Sequence, residues 1–373
     1  MNLSTPTGGP AARRARAGAI LAVVVGAVGT YKGIESMTSP ALPILQEELG
    51  ASRAEIAWVL TGILLTGPVV TPIIGRLGDI WDKRRVLLGV LAIVGLGTVV
   101  AALSASMPML IAGQLLQGFG LSTVPLAVGI LRETQSPTKV ELGNGIMVGT
   151  IFGATALAML IAGPIADHLH YSWLFWFPFV VLVTVMVAVW RLVPPCPPTA
   201  SGRRLDVLGA VLFGGALAVV LVALTNAPDW GWHSARFLGL VGVSVVVAVV
   251  FVVVELRAED PLVDLRVLVG RQVLVAVSLM VMAGFMLNAL LVSIPMQMQQ
   301  PVQTGYGLGA TATLTSFVLV PGILIGTTAP AAAWFAHRIG MRATSVLSAA
   351  ITLAGAWWCC PPPAASRCCS SPS

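Results

Sequence analysis

GRLGDIWDKRR, residues 75–85, is a short charged stretch between two apolar runs, each long enough to cross a bilayer. An α-helix rises about 1.5 Å per residue, so about 20 apolar residues span the hydrocarbon core. The same alternation of apolar run and short polar loop recurs along the chain. Spans are expected at about 18–40, 55–74, 86–105, 108–130, 142–164, 173–193, 207–226, 236–256, 272–294, 311–334 and 343–358. The expected fold is therefore all-α, a polytopic transmembrane helical bundle of about eleven spans. Pro68, Pro72 and Pro125 fall inside these runs. Membrane helices tolerate such residues where neighbouring helices satisfy the freed backbone groups.

Composition agrees. Hydrophobic residues make up 57% of the 373 and charged residues 10%, with a mean hydropathy of +0.91. A soluble domain carries about 25% charged residues, and a soluble chain of this composition would expose aggregating apolar patches. The net charge of +6 does not point to nucleic acid, because the basic residues are distributed by side. With the N-terminus in the cytoplasm, all but four of the 21 Lys and Arg fall in the N-terminal segment or in loops on that face. The exceptions are Lys32 within the first span, Arg53 and Arg236 in outer loops, and Arg367 in the tail. That bias follows the positive-inside rule and supports the span count independently. The leader MNLSTPTGGPAARRARAG reads as a cytoplasmic tail before the first span, not a cleaved signal. Outer loops carry Trp230 and Trp232, and DHLHYSWLFWF over 167–177, which suit a membrane–water interface.

The 75–85 stretch resembles the signature loop of the major facilitator superfamily, G-x-L-a-D-r-x-G-r-k. Gly75, Leu77, Asp79, Lys83 and Arg84 match, and Asp82 stands at the usual glycine. The resemblance implies a turn that latches one helix bundle to the other through charge-assisted bonds and releases them on a change of state. Asp79 is the residue expected to hold a neighbouring helix end. The plainer alternative is a topology signal only.

Other segments resemble the fourteen-span drug:proton antiporter branch of that family. TSPALPILQEEL, 38–49, is similar to its ALPxI segment, and Glu35 lies near the acid that usually precedes it, although strict alignment places that acid at Ile34. An ionisable group in a span costs about 2.5–3.5 kcal/mol on insertion scales and needs a cavity or partner. Glu35 is thus either a proton or cation carrier or half of a Lys32–Glu35 pair at i, i+3. LIAGQLLQGFG, 110–120, resembles the R-x-x-Q-G segment; Gln117 and Gly118 match, whereas Gln114 replaces the arginine tied to proton coupling in relatives. In the fifth span Gly145, Gly149 and Gly153 repeat every four residues, a smooth strip for close helix packing. Of the G-P-x-x-G-G antiporter motif expected near its outer end, AMLIAG at 158–163 keeps only Gly163.

The Pro-rich segment 193–206 marks a domain boundary. The expected organisation is an N-terminal cytoplasmic tail over 1–17 and a six-helix bundle over 18–195. A linker with two extra spans over 196–265 and part of a second bundle over 266–358 follow. FAHRIGMRA, 335–343, echoes the signature loop at the matching place of the second half, as an internal repeat implies. Residues 359–373 are an aberrant Cys/Pro/Ser-rich tail, read as a C-terminal truncation or frame change against a fourteen-span relative.

The five cysteines, Cys196, Cys359, Cys360, Cys368 and Cys369, lack zinc-ligand or disulfide spacing in a plausible context. No nucleophile–base pair or phosphate-binding loop is evident, so no enzyme, cofactor or metal is expected. The resemblance implies a monomeric plasma-membrane transporter of small organic molecules, coupled to protons. A non-transporting remnant or membrane scaffold, and a nutrient carrier with different coupling, are the rival readings.

Overall fold

The computed structural model describes residues 10–197, 206–258, 270–300 and 309–328, with the isolated positions 340, 343 and 350. The chain packs as one unit over 1–327 and a second over 328–373. The eleventh expected span, most of the FAHRIGMRA echo and the cysteine-rich tail lie outside the described residues.

Twelve α-helices are described: α1 (Pro10–Met37), α2 (Leu42–Glu48), α3 (Arg53–Ile80), α4 (Lys83–Ala102), α5 (Met107–Gln117), α6 (Thr123–Thr134), α7 (Pro137–His168), α8 (Trp173–Leu192), α9 (Val207–Trp230), α10 (Ala235–Arg257), α11 (Arg271–Met298) and α12 (Ala312–Ile325). Eight spans among them are long and apolar enough to cross a membrane, and two shorter apolar helices, 273–286 and 312–325, follow. The protein is a multi-pass membrane protein.

Local chemistry sets the boundaries. Ser52 and Glu55 form a capping box at the start of α3, with Glu55 N donating to Ser52 Oγ at 3.2 Å and Ser52 N to Glu55 Oε2 at 2.9 Å. Asp206 caps α9 through Gly209 N at 2.8 Å, and Ser234 caps α10 through Phe237 N at 3.2 Å. Gly231, with φ +86°, turns the chain out of α9 into this second hairpin helix.

The structure departs from the sequence expectation in two places. Most of GRLGDI is helical: α3 runs to Ile80, and only Trp81 and Asp82 separate it from α4. The fourth span is broken at Gly118–Ser122 into a 3-10 turn between α5 and α6. Ser122 Oγ donates to Phe119 O at 2.6 Å and Thr123 Oγ1 to Gly120 O at 2.7 Å, holding the tighter winding.

Helices α1, α3, α4, α5–α6, α7 and α8 enclose the main core, with α1 against α7 and α8, and α4 against α5 and α8. Small residues permit the closest approaches. A Cβ on Gly113 of α5 would lie 2.8 Å from Gly97 O of α4, and one on Gly97 would lie 2.7 Å from Gly113 O. Gly113→Ala is accordingly expected to push α4 and α5 apart, at about 1–3 kcal/mol. A melting temperature in detergent equal to that of the parent would contradict this packing. The α9–α10 hairpin lies on α3, and α12 lies on α7. The outward face of α10, with Val245, Val246 and Val249 exposed, suits lipid.

Candidate functional site

The α3–α4 turn is built around one buried cation. Asp82 caps α4 by accepting from Arg84 N at 2.9 Å, and the same oxygen accepts Cys196 N at 3.1 Å, tying the segment after α8 to the turn. Capping at this point aims Lys83 inward, where it is 5% exposed. Its Nζ lies 2.6 Å from Glu133 Oε1 in the last turn of α6 and 3.7 Å from Asp79 Oδ1. Gly129, one turn before Glu133, leaves room for the stem, since a Cβ there would lie 3.1 Å from Lys83 Cε. Arg84 donates from Nη2 to the carbonyl of Trp190 in α8.

Three of these residues thus reach neighbouring elements: Lys83 to α6, Arg84 to α8 and Asp82 to the segment after α8. Among the described residues Asp79, expected to make the cross-helix bond, pairs with Lys83 of its own turn, and its side chain is half-exposed. Gly75 has open space where its Cβ would be, and Leu77 packs at the edge of the main core. Glu133 was missed in the sequence. Its signal was an acid in the last turn before a loop on the basic side.

Cys196 lies against this turn. Burial, and next the negative charge and hydrogen bonding of Glu133, push its thiol up to about 12. Little thiolate forms near neutral pH, so at pH 8 a maleimide should modify it roughly a thousandfold more slowly than a free cysteine. A chain with the other four cysteines replaced by serine allows the rate to be measured; an unhindered rate would contradict the geometry.

A second polar group lies within the spans. Lys32 Nζ donates to Glu35 Oε1 at 2.7 Å, a partly buried i, i+3 pair near the end of α1. Glu35 Oε2 and the hydroxyl of Tyr31 one turn earlier are both buried, and the two side chains interact with each other. The Tyr31 ring occupies the space that a Cβ on Gly120 would need, which fixes the break in the fourth span against α1. Gln114 and Gln117 are both fully buried. Among the described residues neither side-chain amide has a hydrogen-bond partner, so no hydrogen bond joins them to the Lys32–Glu35 pair. The stem of Gln114 touches α3, where a Cβ on Gly62 would lie 3.3 Å from Gln114 Cβ, and the backbone of Gln117 lies against Gly97 of α4. Buried amides without partners are costly, which marks α5 as a polar element of the bundle interior.

The glycines of α7 separate by face. Gly145 and Gly149 are half-buried, and a Cβ on Gly153 would lie 3.8 Å from Thr327 Cγ2. The tight approach of α1 to α7 uses glycines of α1 instead: a Cβ on Gly29 would lie 2.7 Å from Thr150 Cγ2, and one on Gly33 3.9 Å from Ala158 Cβ. Gly163 faces α12, where a Cβ would lie 2.8 Å from Thr313 Cα. Among the described residues no group of His, Cys, Asp and Glu could hold a metal ion.

Comparison with known proteins matches residues 24–367 to the model described as Major Facilitator Superfamily. The tetracenomycin C resistance and export protein of Streptomyces glaucescens is 28% identical over 91% of this chain and 62% of its own length. An uncharacterized MFS-type transporter of Mycobacterium tuberculosis is 30% identical over 86% of this chain and 46% of its own. Multidrug export protein EmrB of Escherichia coli is 23% identical over 82% of this chain and 59% of its own. The chain therefore spans about half to three fifths of the length of these relatives. With a match covering most of its residues, the chain belongs to the major facilitator superfamily, a family of transporters.

Proposed function

We propose that the protein moves small organic molecules across the plasma membrane, exporting drugs or metabolites in exchange for protons by alternating access. The observation that carries this reading is the charged turn. It binds the α3–α4 junction to α6, α8 and the segment after α8 through a few charge-assisted contacts at one end of the bundle. Such contacts are strong enough to hold a state and few enough to exchange. Two relatives, a tetracenomycin C resistance and export protein and a multidrug export protein, support the substrate class.

In this reading residues 18–195 form the first bundle, 196–265 carry the linker and two extra spans, and 266–358 belong to the second bundle. Glu35 carries the coupling proton, with Lys32 as its resting partner. Gln114 and Gln117 offer hydrogen bonds to substrate or to the proton path. The protein works as a monomer. A carrier with different coupling is the second reading, favoured by Gln114 at the position of an expected arginine. Expression in a bacterium lacking its own drug exporters tests the proposal. It should raise tolerance to amphipathic drugs, and Glu35→Gln should remove the gain. Unchanged tolerance at normal membrane abundance counts against drug export.

Orientation is part of the proposal: the N-terminus and Arg84 in the cytoplasm, His170 and Trp232 outside. Trp232 is exposed in the α9–α10 turn. An impermeant maleimide added outside intact cells should modify Trp232→Cys and spare Arg84→Cys. The reverse pattern would invert the topology.

A further inference from the structure

At the end of the bundle remote from the charged turn, α7 and α12 meet at one carboxylate. Asp167, in the last turn of α7, accepts hydrogen bonds from Ala312 N at 3.1 Å, Thr313 N at 3.0 Å and Thr313 Oγ1 at 2.5 Å. The two N–H groups belong to the first turn of α12 and have no partner within that helix. Thr311 caps the next position, accepting from Leu314 N at 3.2 Å. The start of α12 is thus capped once by its own chain and once by α7.

The contact has depth. Beneath Asp167, a Cβ on Gly163 would lie 3.0 Å from Ser316 Oγ, and Thr315 and Ser316 of α12 are both buried. A second bond joins the same end of the molecule: Gln299 Nε2, just past α11, donates to Pro40 O, just past α1, at 3.3 Å. Both contacts cross from helices before the Pro-rich linker to helices after it.

We propose that Asp167 is the pin of a gate that closes the bundle on the side bearing His170, and that α12 leaves Asp167 when the interior opens to that side. This rests on the alternating-access reading given above. A carboxylate at the positive end of a helix is favoured. Asp167 is only half-buried and sits at the end of a span, so water can replace both partners when they separate. The bond is therefore cheap to break and remake.

The test uses the full chain in proteoliposomes, with its native cysteines replaced by serine. Ser316→Cys reports opening through its rate of reaction with an impermeant maleimide added from the His170 side. The parent should react slowly. Asp167→Ala should raise the rate about tenfold, the shift in population expected when three charge-assisted bonds are lost and water largely replaces them. Asp167→Asn, which keeps one acceptor, should raise it less. In a separate chain, Asp167→Cys with Thr313→Cys should form a disulfide on mild oxidation. That disulfide should stop gradient-driven flux of a fluorescent amphipathic cation, and reduction should restore it. Equal labelling of Ser316→Cys in the parent and both Asp167 variants overturns the proposal. So does failure of the 167–313 disulfide to form, or flux undiminished through the oxidised protein. If Asp167→Ala does not accumulate, Asp167→Asn and the disulfide decide. If the parent carries no flux, transport as a function fails, while the labelling rates still decide the gate.

Discussion

Lys83→Ala should be among the most damaging single changes outside the polar group of α1. It removes a side chain that is almost wholly buried and leaves Glu133, whose side chain is 22% exposed, without the cation 2.6 Å from its carboxylate. Removing one member of a buried pair costs about 3–5 kcal/mol, because the remaining charge loses its compensation. Part of that is returned here, since Glu133 keeps some access to solvent, so about 3 kcal/mol is the expected loss. The gap left beside Gly129 adds to it. Abundance in the membrane should fall several-fold, and the surviving protein should melt earlier in detergent. The double change Lys83→Met with Glu133→Leu separates stability from switching. Apolar replacement of both partners restores packing without a stranded charge, so abundance should return. Transport should stay low if the pair must break and re-form in each cycle. Full transport by that double variant would reduce the turn to a topology signal.

Glu35→Gln should abolish transport against a gradient while leaving exchange of substrate down its gradient. The carboxylate has one oxygen on Lys32 and the other buried, with the Tyr31 side chain interacting with it. If instead Glu35 serves only to neutralise Lys32, Glu35→Gln strands the lysine within the span, at a cost of up to about 3 kcal/mol. Abundance would then drop. The variant carrying both Glu35→Gln and Lys32→Gln distinguishes the two. A pair that serves structure alone predicts recovery of abundance and of uphill transport together. A proton carrier predicts recovery of abundance only. Uphill transport at parent rates by the double variant would remove Glu35 from the coupling mechanism.

The two sites were unequally legible in the sequence. Long apolar runs specify helices almost without tertiary context, because a backbone in lipid must satisfy itself within the segment. The runs from Ala17 to Arg257 therefore appear as spans close to their expected limits. The 75–85 stretch was legible as a turn, but its content of helix was not. The helix α3 continues through Gly75 and Gly78 to Ile80, and a Cβ on Gly78 would lie 2.6 Å from Leu126 Cδ2 of α6. The i, i+3 spacing made the Lys32–Glu35 pair readable without a fold. Glu133 and Asp167 were not readable, because each meets its partner across a long stretch of sequence through helix packing. The break at Gly118–Ser122 depends on the Tyr31 ring lying over Gly120, which no local pattern announces.

Coupling of a proton gradient to movement of a small organic molecule is the activity proposed for this chain. Purified protein in proteoliposomes, with a pH gradient imposed across the membrane and a fluorescent amphipathic cation outside, reads it directly. Accumulation of the dye that follows the gradient, collapses with a protonophore and is absent with Glu35→Gln is the predicted result. Dye movement equal to that of protein-free liposomes, with the protein inserted and folded, would contradict it.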